Sequence, residues 1–209
     1  MPRETAQEKL LRMTQIEREI WAEGFLAAGI DEAGRGPLAG PVSAACVALE
    51  EGKCIAGVDD SKKLSEKKRE ELYERILQEA KYVRCVMLPA EEIDRLNILQ
   101  ATKRAMEQAA ADAQGCVFLV DAVTGLMLPG EARPIIKGDA KSHMIAAASI
   151  VAKVTRDRYM RELDEKYPQY GFAKHKGYGT AEHIAAIREF GPCPEHRRSF
   201  LKNILGEGV

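Results

Sequence analysis

The chain has 209 residues, 45% of them hydrophobic and 30% charged, with a formal net charge of −1. This is long enough to bury a core without disulfides or a structural metal, and the balance excludes an intrinsically disordered or membrane-embedded protein. The near-zero charge is neutral on nucleic acid, because phosphate binding depends on where Lys and Arg lie. Here they cluster at Lys137 and Lys141, from Lys153 to Arg161, at Lys174 and Lys176, and at Arg197 and Arg198.

In chain order, residues 4–22 place Leu10, Leu11, Met13, Ile16, Ile20 and Trp21 at an approximately helical period ended by Gly24, which predicts an amphipathic leading helix. The charged N-terminus has no secretory apolar region, so a cytoplasmic protein is expected, and no run is long enough for a bilayer span. FLAAGID predicts a buried strand entering the tight loop GRGPLAG, and PVSAACVAL a second strand. Ser65 is a candidate N-cap for EKKREELYERILQEA, with Leu72, Ile76 and Leu77 turned inward, and KYVRCVML follows as a strand. Pro89 opens one long helical segment that Gly115 closes, after which CVFLVD reads as a strand ending in Asp121.

RPIIKGDAKS predicts a brief strand and a turn at Gly138, followed by a strong helix over HMIAAASIVAKVTRDRYMRELDEKY. A helix capped by Thr180 and a short one near Pro194 complete the chain. Strands alternating with helices predict an α/β domain with a mixed sheet, and the residues from about 167 a small helical lobe. The five cysteines are odd in number and contain no CxxC pair, so neither a disulfide framework nor a zinc site is expected. Cys46, Cys85 and Cys116 read as small core hydrophobes. The four histidines read as structural or surface residues, since no pair has metal-ligand spacing.

Predicted strands end or turn at Asp31 with Glu32, at Asp121 and at Asp139. Turns favour acids for their own reasons, yet the carboxyl ends of strands are also where α/β sheets gather a site. Asp31 follows AAGI and Asp121 follows CVFLV, so both sit at the edge of buried sheet, where an unpaired charge is costly and a cation is called for. Oxygen-only ligands favour Mg²⁺ or Mn²⁺ over zinc. Adjacent strand residues point to opposite faces, so the strand is expected to break if Asp31 and Glu32 share one ion, with Gly34 and Gly36 giving the freedom. Gly-Arg-Gly is either that close-approach turn or a plain tight turn with a surface Arg.

The blocks GIDEAGRGPLAGPVSAACV, DDSKKLS, NILQATKRAM, LVDA and IIKGDAKSHMIAAASIVAKVTRD, with the tail YPQYGFAKHKGYGTAEHIAAIREFGPCPEHRRSF, resemble in order the signature segments of bacterial type 2 ribonucleases H, ribonuclease HII. The resemblance implies a ribonuclease H-like mixed β-sheet flanked by helices, with a small C-terminal helical extension. The boundaries it implies are residues 1–24 for the N-terminal helix, 25–166 for the catalytic core, and 167–209 for the extension packed on that core. It places the catalytic and metal-binding acids at Asp31, Glu32, Asp121 and Asp139, holding two divalent ions, Mg²⁺ or Mn²⁺. It assigns Gly34, Arg35 and Gly36 to sensing the ribose 2′-hydroxyl through backbone groups, and Tyr178 to stacking on the next sugar.

The implied reaction is two-metal endonucleolytic cleavage of the RNA strand of RNA/DNA hybrids, and of DNA 5′ to a single embedded ribonucleotide, leaving 3′-hydroxyl and 5′-phosphate ends. Ribonucleotide excision repair and replication are the implied settings, a monomer is expected, and no protein partner, a replication clamp included, is named by the sequence. Ser61, Lys62 and Lys63 are read either as phosphate contacts or as solvated charge. Lys153 can pair with Arg156 and Asp157 along its own helix or reach substrate. Met144 and the loop TGLMLPGEA depart from the commoner pattern without touching the acids. A type 3 ribonuclease H needing ribonucleotide runs and a noncatalytic hybrid-binding module are the alternatives. The type 3 relative usually carries a larger N-terminal domain.

Overall fold

Short apolar runs bounded by glycine, proline or acids form four of the five strands, while the apolar run after His143 is helical. A computed structural model describes residues 4–206; residues 1–3 and 207–209, the outer ends of the expected N-terminal helix and C-terminal extension, lie outside the described residues. β1 (Leu26–Ala33), β2 (Val42–Ala48), β3 (Tyr82–Leu88), β4 (Cys116–Asp121) and β5 (Ala132–Ile135) make one mixed sheet in the order β3-β2-β1-β4-β5. β1 and β4 are parallel, as are β4 and β5, while β2 runs antiparallel to β1 and β3. β2 is buried at every position, which is why its sequence is apolar on both faces instead of alternating, Ser43 alone excepted.

The helices are α1 (Ala6–Met13), α2 (Gln15–Ala22), α3 (Glu66–Glu79), α4 (Ala90–Leu96), α5 (Ile98–Ala110), α6 (His143–Lys166), α7 (Phe172–His175), α8 (Ala181–Phe190) and α9 (Arg198–Leu205). α6, with α2 and α3, packs on one face of the sheet through Ile145, Ala148, Ile150, Ile20 and Leu72. Ala101, Ala105 and Met106 of α5 cover the other face. β1 and α6 approach so closely at Gly29 that a Cβ there would lie 2.0 Å from the Met144 carbonyl carbon, so only glycine fits. Beyond the sheet, Met160 and Leu163 of α6 pack with Tyr170, Phe172 and Ala186 in a third cluster.

Ser65 and Thr180 cap α3 and α8 as expected. The leading helix divides at Thr14, whose hydroxyl bonds back to the Leu10 carbonyl at 2.8 Å. The long segment after Pro89 divides at Asn97, where φ is 70° and the side chain caps Gln100 N–H at 3.1 Å; a short amide side chain offers the backbone a new start in place of continuation. Leu77 is exposed, leaving Leu72 and Ile76 as the inward stripe of α3. The last helix begins at Arg198, later than Pro194 suggests, because Asp94 of α4 accepts from Arg198 N–H (2.7 Å) and Ser199 N–H (3.0 Å).

Candidate active site

Parallel pairing of β1 with β4 ends at Ile30↔Val120, which sets Asp31 and Asp121 side by side just where the two strands part. The third acid comes from a turn: Lys137 takes a left-handed conformation (φ 56°) and Gly138–Ala140 form a single 3₁₀ turn into α6. One carboxylate oxygen from each of Asp31, Asp121 and Asp139 lies within 4.8 Å of the others. Gly138 N–H donates to Asp121 at 2.7 Å. A Cβ at Gly138 would meet Ile145 Cδ1 at 2.5 Å and Asp121 Oδ1 at 3.3 Å, so a larger residue would push on the Ile145 tip and crowd the carboxylate.

β1 does not break between Asp31 and Glu32. It runs on to Ala33, paired with β2 at Asp31↔Ala45 and Glu32↔Ala44; the sheet parts between β1 and β4 instead, and strand alternation separates the two side chains. Glu32 stands outside the three-acid group, with Arg35 Nη1 3.4 Å from its Oε1 and its Oε2 buried without a hydrogen-bond partner.

The acids carry more negative charge than their surroundings offset. Burial, with Glu32 and Asp121 nearby, raises the Asp31 pKa well above the usual carboxylate range. Burial also raises Glu32, against the pull of Arg35. It raises Asp121 too, against the Gly138 N–H and with help from Asp139. Lys62 Nζ lies 3.3 Å from Asp139, and although burial opposes it, that carboxylate lifts the lysine pKa. Oxygen-only donors, excess negative charge and an orphaned Glu32 oxygen fit hard divalent cations.

Gly34, Arg35, Gly36 and Tyr178 line one cavity of about 240 Å³ together with Glu32 and Lys62. Gly34 needs its glycine twice: φ is +87°, and a Cβ would lie 2.0 Å from Arg156 Nε. The Tyr178 ring is half-exposed and lies beside Gly36, 3.8 Å from where a Cβ would stand. Of the three residues in the 61–63 loop only Lys62 reaches the acids. Ser61 is buried and shares a hydrogen bond with Ser149 (2.7 Å), and Lys63 is exposed and 3.8 Å from Asp60. Lys62, Lys63 and Lys137 line a second groove of about 470 Å³ with Asp121 and Asp139. Lys153 bonds both oxygens of Asp157 at 2.6 Å, the intrahelical alternative, while Arg156 turns the other way into the protein.

Several supporting contacts could not be read from the sequence. Glu17 is buried and accepts from Ser142 Oγ (2.6 Å) and Met144 N–H (3.1 Å), tying α2 to the start of α6 just after Asp139. Its position four before Trp21 and three before Ile20 put it on the inward stripe, which was the available signal. Arg156 likewise falls four residues after Ala152 and four before Met160, both buried. His183 and His196, far apart in sequence, face each other with Nε2 atoms 3.1 Å apart. Cys193 N–H donates to His196 Nδ1 (3.0 Å), and His183 Nδ1 lies 2.9 Å from the Tyr178 carbonyl. Burial keeps both imidazoles neutral, with pKa lowered to about 4.

Hard-cation ligands at the parting of a mixed sheet flanked by helices are the equipment of a metal-dependent nuclease with a ribonuclease H-like α/β fold. The model of the family Ribonuclease HII matches residues 28–203. A ribonuclease HII of Ruminiclostridium cellulolyticum is 54% identical over 202 residues, 95% of this chain and 79% of that protein. The crystal structure of the ribonuclease H2 from Pyrococcus horikoshii superposes with a TM-score of 0.74 at 26% identity, covering 86% of this chain and 96% of that one. The ribonuclease HII described in complex with PCNA from Archaeoglobus fulgidus gives 0.71 at 29% identity, over 83% and 94%. The chain belongs to the ribonuclease HII family, metal-dependent endoribonucleases, and neither the type 3 nor the noncatalytic reading is favoured.

Proposed function

We infer that this chain, an endonuclease for the RNA of RNA/DNA hybrids and for ribonucleotides within DNA, cuts on the 5′ side of a ribonucleotide and leaves 3′-hydroxyl and 5′-phosphate ends. The observation that carries the reading is adjacency: Glu32 and Lys62 border the cavity of Gly34–Gly36 and Tyr178, and Lys62 also touches the three-acid group. Asp31, Glu32, Asp121 and Asp139 would hold two divalent ions, Mg²⁺ or Mn²⁺, which when bound supply Lewis-acid activation of water and charge relief for the leaving 3′-oxygen.

The protein's own groups do the positioning. Gly138 N–H and the Ser142–Glu17 bond fix the Asp121 and Asp139 elements in advance. Lys62 offers its ammonium to the phosphate, the Gly34–Gly36 backbone meets the 2′-hydroxyl, and Tyr178 stacks on the following deoxyribose. On this reading residues 25–166 form the catalytic core, preceded by a helical segment and followed from 167 by an extension packed on it. All proposed residues come from one chain, so a monomer suffices, and ribonucleotides in chromosomal DNA place its work in the cytoplasm. Among the described residues no helix is long and apolar enough to cross a membrane.

The test is cleavage of a DNA duplex carrying one ribonucleotide, with and without Mg²⁺, by the parent chain and by Asp121→Asn. Loss of turnover in the variant with the fold retained is expected; undiminished activity removes Asp121 from the site. A duplex with four ribonucleotides, cut no better than the single one, separates this activity from a type 3 enzyme.

A further inference from the structure

The loop at residues 34–41 is held by two arginines that have no salt-bridge partner among the described residues. Arg197 is fully buried and donates from Nη2 to the Gly34 carbonyl (2.6 Å), from Nη1 to the Arg35 carbonyl (2.8 Å) and from Nε to the Gly40 carbonyl (3.0 Å). Arg156, 1% exposed, donates from Nε to Pro41 (2.8 Å), from Nη2 to Ala39 (3.1 Å) and from Nη1 to Lys176 (3.0 Å), again all carbonyls. Among the described residues neither guanidinium forms a salt bridge. Two charges taken out of water without a counter-ion are costly, and a fold keeps them only where the groups they bind must not move.

A trans peptide is planar, with its C=O and N–H pointing in opposite directions. Capturing the carbonyl of Gly34 therefore turns the N–H of Arg35 away from Arg197, and capturing that of Arg35 does the same for the N–H of Gly36. Both residues line the cavity that Tyr178 shares, and among the described residues neither N–H meets a protein acceptor. A cation on the carbonyl side also polarises each peptide, making its N–H a stronger donor. The backbone ties this loop to the extension as well: Leu38 N–H donates to Gly177 (2.8 Å), Arg197 N–H to Leu38 (2.8 Å) and Gly40 N–H to Glu195 (2.8 Å).

We propose that Arg197, seconded by Arg156, is a positioning residue for specificity: it aims and polarises the Arg35 and Gly36 amides toward the ribose 2′-hydroxyl, so the C-terminal extension belongs to the sugar-reading device. The proposal rests on the ribose-sensing reading of the Gly34–Gly36 turn given above. Arg156 guards the same conformation from the other side, which accounts for the glycine at position 34, where any Cβ would strike its guanidinium stem.

The experiment is equilibrium binding in Ca²⁺ of two labelled duplexes, one carrying a single ribonucleotide and one all DNA, to the full chain and to Arg197→Gln, Arg197→Lys and Gly36→Ala. Arg197→Gln is expected to reduce the preference for the ribonucleotide duplex about tenfold while all-DNA affinity stays within about twofold, the loss of one or two charge-polarised hydrogen bonds. Arg197→Lys keeps the charge but cannot fork to three carbonyls, so it should retain part of the preference; it serves as the test should the Gln variant not fold. An unchanged preference in the folded arginine variants, or equal losses on both duplexes, overturns the proposal. Gly36→Ala separates the two layers: if it leaves the preference intact the turn does not read ribose, whereas if it abolishes the preference and the arginine variants do not, only the clamp is wrong.

Discussion

The acid cluster and the 34–41 loop are neighbours that handle buried charge in opposite ways. Asp31, Asp121 and Asp139 crowd like charges together with Lys62 the one ion-pair partner among the described residues, whereas Arg156 and Arg197 are each surrounded by carbonyl dipoles. One region is left electrostatically unsatisfied and ready for cations; the other is saturated and rigid. Charge that does chemistry costs the fold stability, and charge that holds shape supports it.

The largest effect that sharpens this comparison is at Asp31. Asp31→Asn should lower turnover on a single-ribonucleotide duplex by about three orders of magnitude, yet raise the melting temperature in EDTA by a few degrees, since a repelling buried charge is gone and about 1 kcal/mol moves a domain of this size by roughly 2–4 °C. A lower melting temperature would break the contrast. Next, Gly34→Ala should lose about 2–4 kcal/mol in urea unfolding, because it combines a positive φ with overlap of Arg156; a loss under about 1 kcal/mol would mean the clamp yields. Glu17→Ala should lose about 1–3 kcal/mol by stranding the Ser142 hydroxyl and Met144 N–H, and Glu17→Gln, which keeps an acceptor, less.

The smallest effect is a pH slope. His143, His183 and His196 have folded pKa values of about 4 against an ordinary 6.5. Between those values the unfolded chain binds protons the folded chain refuses, so stability from these residues is whole above about pH 6.5 and drains away toward pH 4. The raised Asp31, Glu32 and Asp121 act in the reverse sense, eroding stability as pH climbs past ordinary carboxylate values. In EDTA the two groups oppose each other, so thermal melts from pH 7 to 4.5 should decline more steeply with Mg²⁺, which holds the carboxylates ionised in the folded chain, than in EDTA; no net proton uptake on unfolding in Mg²⁺ would mean the histidines are not held neutral.

What could be read from sequence was what depends on neighbours along the chain. Strand patterns, the caps at Ser65 and Thr180, and acids ending apolar runs are local, and they located the three-acid group. Strand alternation does separate Asp31 from Glu32, but the opening comes from the sheet parting between β1 and β4 and not from a break within β1, which a single strand's sequence does not reveal. Asp94 starting α9, Glu17 anchoring α6 and Arg197 reaching back to Gly34 join residues about 100 or more positions apart, and nothing in periodicity announces such pairs.

α6 deserves a mechanical reading. Its first turn is pinned beside Asp139, Ser149 hydrogen-bonds Asp31, and Arg156 grips the 34–41 loop, with rigid helical rise fixing about 20 Å between His143 and Arg156. The helix therefore acts as a caliper that sets the distance from the three-acid group to the 34–41 loop. Adding or deleting one residue between 143 and 156 would swing one jaw by about 100° relative to the other, so that stretch should refuse length changes however conservative, while the same change beyond Leu163 would leave the gauge true.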